Sequence, residues 1–318
     1  MKEISIGKYR GLQRIASERG TITTLALDHR QNLRKSNPEF MDDQKLSEFK
    51  IEVASILNRE ATSVLLDPEV SAAQAIAKGA ILRQTGLVIA LESTGYTGDA
   101  HARHAQIIPG WSVAKAKQMG ADAVKLLVYY HPKSSTANEV EEFVRRIAQE
   151  CQASDVALML EPLSYSLDEK AKLSSAEKRF VVVETARRLS PLGIDLLKAE
   201  FPLAVDDPDS SNWQSACAEI SAACVTPWIL LSAAVDFETY LRQVDVACQS
   251  GASGIAVGRA VWQEAVGMQP QNRPTFLNGV ACERLARLNA LCTALAKPYM
   301  DFYSSSAPLD WYKGYSTP

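Results

Sequence analysis

A repeated pattern constrains this chain more than any single motif. Eight short apolar runs recur along it, each ending in a polar or small residue and each followed by a longer segment with apolar residues three or four apart. The runs predict strands near Thr21 to Asp28, Ala61 to Pro68, Gly86 to Glu92, Ala123 to Tyr130, Val156 to Glu161, Asp195 to Phe201, Trp228 to Ala233 and Gly254 to Gly258. The segments Gln44 to Asn58, Ser112 to Met119, Glu139 to Gln152, Ala176 to Leu189, Ser215 to Cys224 and Phe237 to Ser250 predict helices. Gly120, Gly193 and Gly251 each fall just before a strand, where a helix-terminating glycine belongs. Eight strand–helix units in 318 residues predict an α/β fold of the (β/α)8 TIM-barrel type, although a doubly wound open sheet would give much the same local pattern.

A chain of this length with 47% hydrophobic residues buries a large core. No Pro-, Gly- or Ser-rich linker divides it, so residues 1–318 are expected to form one domain. The first twenty residues are expected to cap the barrel, and Cys282 to Lys297 to form the last helix. The aromatic-rich tail from about 298 to 318 is expected to pack on the barrel or on a neighbouring subunit. A homo-oligomer is the expected assembly. The net charge of -3 gives no reason to expect nucleic acid or a membrane as partner, so a phosphate ligand must be held by a few local cations. Met1 to Gly20 is polar and charged, without the apolar centre of a secretory signal, and no run reaches the length of a membrane span; a cytoplasmic location is expected. The six cysteines show no CxxC spacing and read as reduced structural thiols.

Lys198 stands in the apolar run Leu196-Leu197-Lys198-Ala199, where a strand entering a core should carry hydrophobic side chains. A buried ammonium either finds a partner or gives up its proton, and a neutral amine in a pocket is the starting material for a Schiff base. In a barrel, the C-terminal ends of the strands line the active-site mouth. The polar residues there are Asp28, His29 and Arg30 on strand one, Lys125 on strand four, Glu161 on strand five, Lys198 and Glu200 on strand six, Ser232 on strand seven, and Gly258 and Arg259 on strand eight. Alternation puts Lys198 and Glu200 on one face, and Lys125, also on an even-numbered strand, shares a layer with Lys198. A second cation beside an amine favours its neutral, nucleophilic form. Glu161, among Leu158, Met159 and Leu160, is expected to have a raised pKa and to pass protons in both directions; a salt bridge to Lys125 or Lys198 is the competing reading, more serious for Glu200 than for Glu161. Arg259 offers a bidentate fork for phosphate, with Ser232 and neighbouring backbone N–H groups completing the cradle.

These residues lie within longer stretches, Leu25-Ala26-Leu27-Asp28-His29-Arg30, Lys125 through Tyr130, Leu160-Glu161-Pro162, Leu197 through Pro202, Pro227 through Ser232, and Gly251 through Gly254 with Gly258 through Trp262. In that register, from about Thr21 to Trp262, the chain resembles the tagatose-1,6-bisphosphate aldolase family, which includes the sulfofructose-phosphate aldolases. The resemblance implies a metal-independent class I aldolase on a (β/α)8 barrel, needing no cofactor and cleaving a ketose phosphate to dihydroxyacetone phosphate and an aldehyde. It implies that Lys198 forms the Schiff base, that Glu161 is acid and base, that Asp28, His29 and Lys125 contact the substrate, and that Ser232 and Arg259 bind phosphate. Two positions depart from the family pattern: His29 stands where Gln is usual, and Ala233 and Ala234 stand where a Gly is usual, which narrows the backbone approach to a phosphate.

Two other readings compete. A zinc-dependent aldolase would need clustered ligands, and of the four histidines only His101 and His104 could share a helix face, where a pair of surface histidines is commoner than a metal site. A sugar-phosphate-binding sensor or regulator on an aldolase barrel would keep the pocket without the chemistry, and intact Lys198 and Glu161 weigh against it.

Overall fold

The computed structural model describes residues 1–168, 170–204, 210–233 and 235–315. Among them, eight parallel strands close into a barrel: β1 (Ile22–Ala26), β2 (Ser63–Leu66), β3 (Gly86–Ala90), β4 (Ala123–Tyr129), β5 (Ala157–Leu163), β6 (Leu196–Ala199), β7 (Trp228–Leu231) and β8 (Gly254–Val257). Each strand pairs with its neighbours in sequence, and β8 closes on β1 with Gly254 opposite Ile22. The closure requires glycine there. Gly254 has φ +141°, and a Cβ on it would lie 1.8 Å from the Ile22 carbonyl oxygen. The open-sheet alternative is thereby excluded.

Alternation divides the strand residues between two apolar clusters. Leu158, Leu160, Leu197 and Leu230 point outward to the helices, whereas Ala157, Met159, Leu196, Ile229, Ala26, Val88, Ala90 and Ala256 fill the interior. Helices Asp43–Leu57, Val113–Met119, Ala137–Ala153, Ser175–Leu189, Trp213–Ala223 and Phe237–Gln249 lie within a few residues of their sequence-based positions. Gly120, Gly193 and Gly251 all adopt positive φ at the ends of the helical segments that precede strands.

The helix Ile6–Ile15 plugs the N-terminal end of the barrel, sending Leu12 and Ile15 into the interior cluster beside Ala123 and Ala157. Lys8 forms a buried pair with Asp195 at 2.8 Å, and Asp195 also accepts from the Leu158 N–H. The chain returns to this end after the helix Cys282–Leu295. Tyr299 and Tyr303 are buried there, Tyr303 donates to the Asp195 carbonyl, and Tyr303–Ser304 pairs with Lys2–Glu3. Farther along the tail, Trp311, Tyr312 and Tyr315 stay exposed, with the Tyr315 hydroxyl bonded to Asp155. No helix among the described residues is long and apolar enough to cross a membrane.

The sequence did not reveal an antiparallel hairpin, Thr97–Asp99 with Ala102–His104, inserted after β3. It overturns one expectation directly. His104 lies on a hairpin strand and His101 in its turn, so the two do not share a helix face, and His104 instead approaches Glu139 at 3.6 Å.

The floor is removed from the mouth, so its chemistry should be separable. Lys8→Met leaves the Asp195 carboxylate buried without its cation and is expected to cost about 3–5 kcal/mol of stability, read from denaturant or thermal melts, with turnover by the folded fraction unchanged.

Candidate active site

The barrel's C-terminal mouth opens into a cavity of about 780 Å³. Its lining includes Asp28, His29, Glu92, Lys125, Glu161, Lys198, Glu200, Ser232, Gly258 and Arg259, so every residue singled out at the strand ends reaches one space. Strand parity explains this. Lys125, Leu127 and Tyr129 alternate inward along β4, as Met159 and Glu161 do along β5, and Leu196 and Lys198 along β6.

At the centre is Lys125, which is 1% exposed. Its Nζ lies 2.8 Å from Asp28 Oδ2, 2.7 Å from Glu92 Oε1 and 2.8 Å from Glu161 Oε2. Burial opposes a charge on this amine, but the three carboxylates override it and hold its pKa well above the ordinary lysine value. Lys198, 4% exposed, donates to the same Glu161 oxygen at 2.9 Å. One carboxylate oxygen is thus shared by two lysines from neighbouring sides of the barrel.

The expectation for Glu161 is corrected by this arrangement. Burial does push its carboxyl upward, but Lys125 and Lys198 outweigh burial and bring the pKa below the usual glutamate value. The apolar neighbours in sequence, Leu158 and Leu160, face the helices rather than the cavity. Asp28 behaves alike: burial raises its carboxyl, while Lys125, Lys198 and His29 hold it well below the ordinary range.

His29 follows Asp28 and packs edge-on against Trp262, ring centroids 5.8 Å apart. Burial, assisted by Arg259 and Lys198 and opposed by Asp28, lowers its pKa to about 4, so the ring is neutral near pH 7. Its Cε1 lies where a side chain on Gly258 would begin: a Cβ there would sit 2.9 Å from it. The Gly258 N–H donates to Ser232 Oγ at 3.3 Å, which places Ser232, Gly258 and Arg259 along one edge of the cavity, after β7 and β8. Arg259 Nε is buried and has no acceptor among the described residues. Ala233, also in the lining, has φ +39°, a left-handed backbone that glycine adopts more readily. Ala234 lies outside the described residues.

Glu200 lines the cavity but turns to its outer edge. Its Oε2 accepts from the Ser164 N–H at 2.6 Å, and its Oε1 is 3.8 Å from Lys178 Nζ, so it pairs with neither Lys125 nor Lys198. Arg30, third in the strand-one motif, bonds to Glu69 and to the Glu92 carbonyl, and so braces the rim. Sequence reasoning passed over Glu92, although it stands two residues past inward-facing Ala90, at a strand end like the others. No group of three or more histidine, cysteine or carboxylate side chains among the described residues is arranged to hold a metal ion; the carboxylates converge on an ammonium.

Comparison with known proteins agrees with this geometry. Residues 22–264 match the family described as DeoC/LacD family aldolase. Tagatose 1,6-diphosphate aldolase 1 of Enterococcus faecalis is 31% identical over 286 residues, covering 84% of this chain and 87% of that protein. Tagatose 1,6-diphosphate aldolase of Listeria monocytogenes is 30% identical over 336 residues, covering 96% and 97%. Among solved structures, an archaeal fructose 1,6-bisphosphate aldolase superimposes with a TM-score of 0.58 at 23% identity, covering 87% of this chain and 98% of that one. The fructose-bisphosphate aldolase of Plasmodium falciparum gives a TM-score of 0.74 at 13% identity, covering 93% and 98%, a likeness of fold. With most of its barrel matched by the family and two relatives at 30% identity or more along nearly their whole lengths, this chain belongs to the DeoC/LacD aldolases and is an aldehyde-lyase.

Proposed function

We propose that the chain is a class I aldolase that cleaves a ketose phosphate through a Schiff base on Lys198, releasing dihydroxyacetone phosphate and an aldehyde. The observation that carries this reading is the placement of Lys198 Nζ, shielded in the cavity and 2.9 Å from a carboxylate that can take and return protons. The amine, after passing a proton toward Glu161, attacks the C2 carbonyl. Glu161 returns that proton to the carbinolamine hydroxyl, which leaves as water to give an iminium, and is a carboxylate again.

Glu161 next removes the proton of the C4 hydroxyl. The C3–C4 bond breaks, its electrons flow into the iminium to form an enamine, and the aldehyde departs. Protonation at C3 and hydrolysis of the iminium free dihydroxyacetone phosphate and restore the lysine. The lowered Glu161 pKa suits this role, because the group enters the cycle as carboxylate. Lys125 offers a fixed positive charge where hydroxyl oxygens become transiently anionic. Arg259, with its buried Nε, Ser232 and the Gly258 backbone form the cradle for the phosphate on C1. Asp28 and neutral His29 face the hydroxyls between, and Glu200 marks the outer limit of the substrate.

The relatives' names point to tagatose 1,6-bisphosphate as the first substrate to try, with fructose 1,6-bisphosphate and sulfofructose phosphate beside it. Specificity constants measured side by side decide among the three.

Borohydride reduction with dihydroxyacetone phosphate is expected to add the mass of the reduced adduct to the peptide holding Lys198, and chelators are expected to leave turnover unchanged. Lys198→Ala should abolish the adduct and lower kcat by about 10⁴-fold or more; a variant that still turns over removes the mechanism. Arg259→Ala should leave trapping chemistry intact while raising KM about 10- to 100-fold, the loss of a charge-assisted phosphate contact. Because Glu161 is held below its ordinary pKa, its carboxylate persists into more acid solution. The acid limb of kcat should therefore lie below the usual glutamate range, measured at saturating substrate.

A further inference from the structure

Resting on that class I reading, we propose that Glu92 is a positioning residue for proton transfer: acting through Lys125, it keeps that ammonium from settling onto Glu161 and so leaves Glu161 able to take the substrate proton. An ammonium has three N–H donors. On Lys125 they donate to Asp28 and Glu92 at 2.8 and 2.7 Å, while Glu161 lies 2.8 Å from the same nitrogen as an ion-pair partner.

The three carboxylates are not equivalent. Glu161 divides its Oε2 between Lys125 and Lys198, and Asp28 lies beside His29, with Oδ1 3.8 Å from the ring Nδ1. Both belong to the chemistry. Glu92 is fixed from behind. Its Oε2 accepts the Leu127 N–H at 3.0 Å, which leaves Oε1 for Lys125, and its own carbonyl accepts from Arg30 at 2.8 Å. It is buried, and of the three it lies away from Lys198, with which it makes no bond among the described residues.

Without the third anion, Lys125 would give more of its charge to Glu161. That carboxylate would become more stable as an anion and a poorer base, the wrong change for a group that must accept a proton from a hydroxyl. The charge count points the same way: three carboxylates face two lysines, so the cluster can spare one negative charge when Glu161 is protonated while still holding Lys125 as an ammonium. The charged and titratable groups around Glu92 are Lys125 and Tyr129 from β4, Asp28 and Arg30 after β1, and Glu161 from β5. Burial and Asp28 raise the Glu92 carboxyl's pKa, and Lys125 opposes them.

Glu92→Gln removes the charge at nearly constant volume. The amide can accept from either Lys125 or the Leu127 N–H, but not from both. The test compares wild type, Glu92→Gln and Glu92→Asp for borohydride trapping, KM, kcat and the pH profile of kcat. Glu92→Gln is expected to trap a stoichiometric adduct with KM within about threefold of wild type, kcat lower by about 10- to 100-fold, and the acid limb displaced to lower pH by roughly half a unit or more. Glu92→Asp, which keeps the charge one methylene shorter, should fall between the two.

An acid limb at the wild-type position in Glu92→Gln overturns the inference. A loss confined to melting temperature and to the fraction of chains that trap also overturns it, because that is the signature of a purely structural residue. Should Glu92→Gln fail to fold, Glu92→Asp decides alone: a limb shifted to lower pH supports the role, and an unmoved limb refutes it. A wild-type enzyme that traps nothing would instead strike at the Schiff-base reading.

Discussion

The site is organised around one buried cation. Lys125 is removed from water and held charged by carboxylates that arrive from β1, β3 and β5, so the charge ties together strands that are not all neighbours. A desolvated ammonium without partners would be costly, and three buried carboxylates without a cation would be costlier. Each side makes the other tolerable. The outcome is a polar cluster set on top of an apolar barrel interior, and Lys198 gains its proton acceptor as a member of that cluster.

The interior below supports this arrangement. Small side chains at Ala26, Ala90 and Ala256 and the hydrogen-bonded pair Thr24 and Ser63 fill the barrel beneath the mouth, while the helix Ile6–Ile15 fills the floor with Leu12 and Ile15. The long lysine side chains of β4 and β6 therefore rise from packed walls. Preorganisation of this kind is what allows electrostatic stabilisation to act without rearrangement during the reaction.

The barrel was legible because the strands are mostly apolar below the mouth, so charged residues within or at the end of an apolar run announce it, Lys125 from mid-strand below Leu127 and Tyr129 and the others from strand ends. Lys198, Lys125, Glu161 and Arg259 were read in this way, and the cavity contains them all. Glu92 obeyed the same rule as the last residue of the expected strand Gly86 to Glu92, and only its burial against Lys125, which the sequence does not show, marks it as part of the site. The sign of the Glu161 shift was not readable, because its neighbours in sequence point to the opposite side of the sheet, while its neighbours in space come from β4 and β6. The hairpin after β3 was hidden for a different reason: Thr97-Gly98-Asp99 and Ala102-Arg103-His104 are too short and polar to show alternation.

Ala233 carries a consequence of its own. Its methyl group occupies the cavity rim beside Ser232, Gly258 and Arg259, and its backbone sits in a conformation that costs a non-glycine residue of order 1 kcal/mol or more. Headroom over this edge of the cavity and tension in the turn are therefore governed by the same three hydrogens. Glycine at this position would relax the turn, widen this edge of the cavity and loosen the loop in a single step, so the width and the rigidity of this edge are set together.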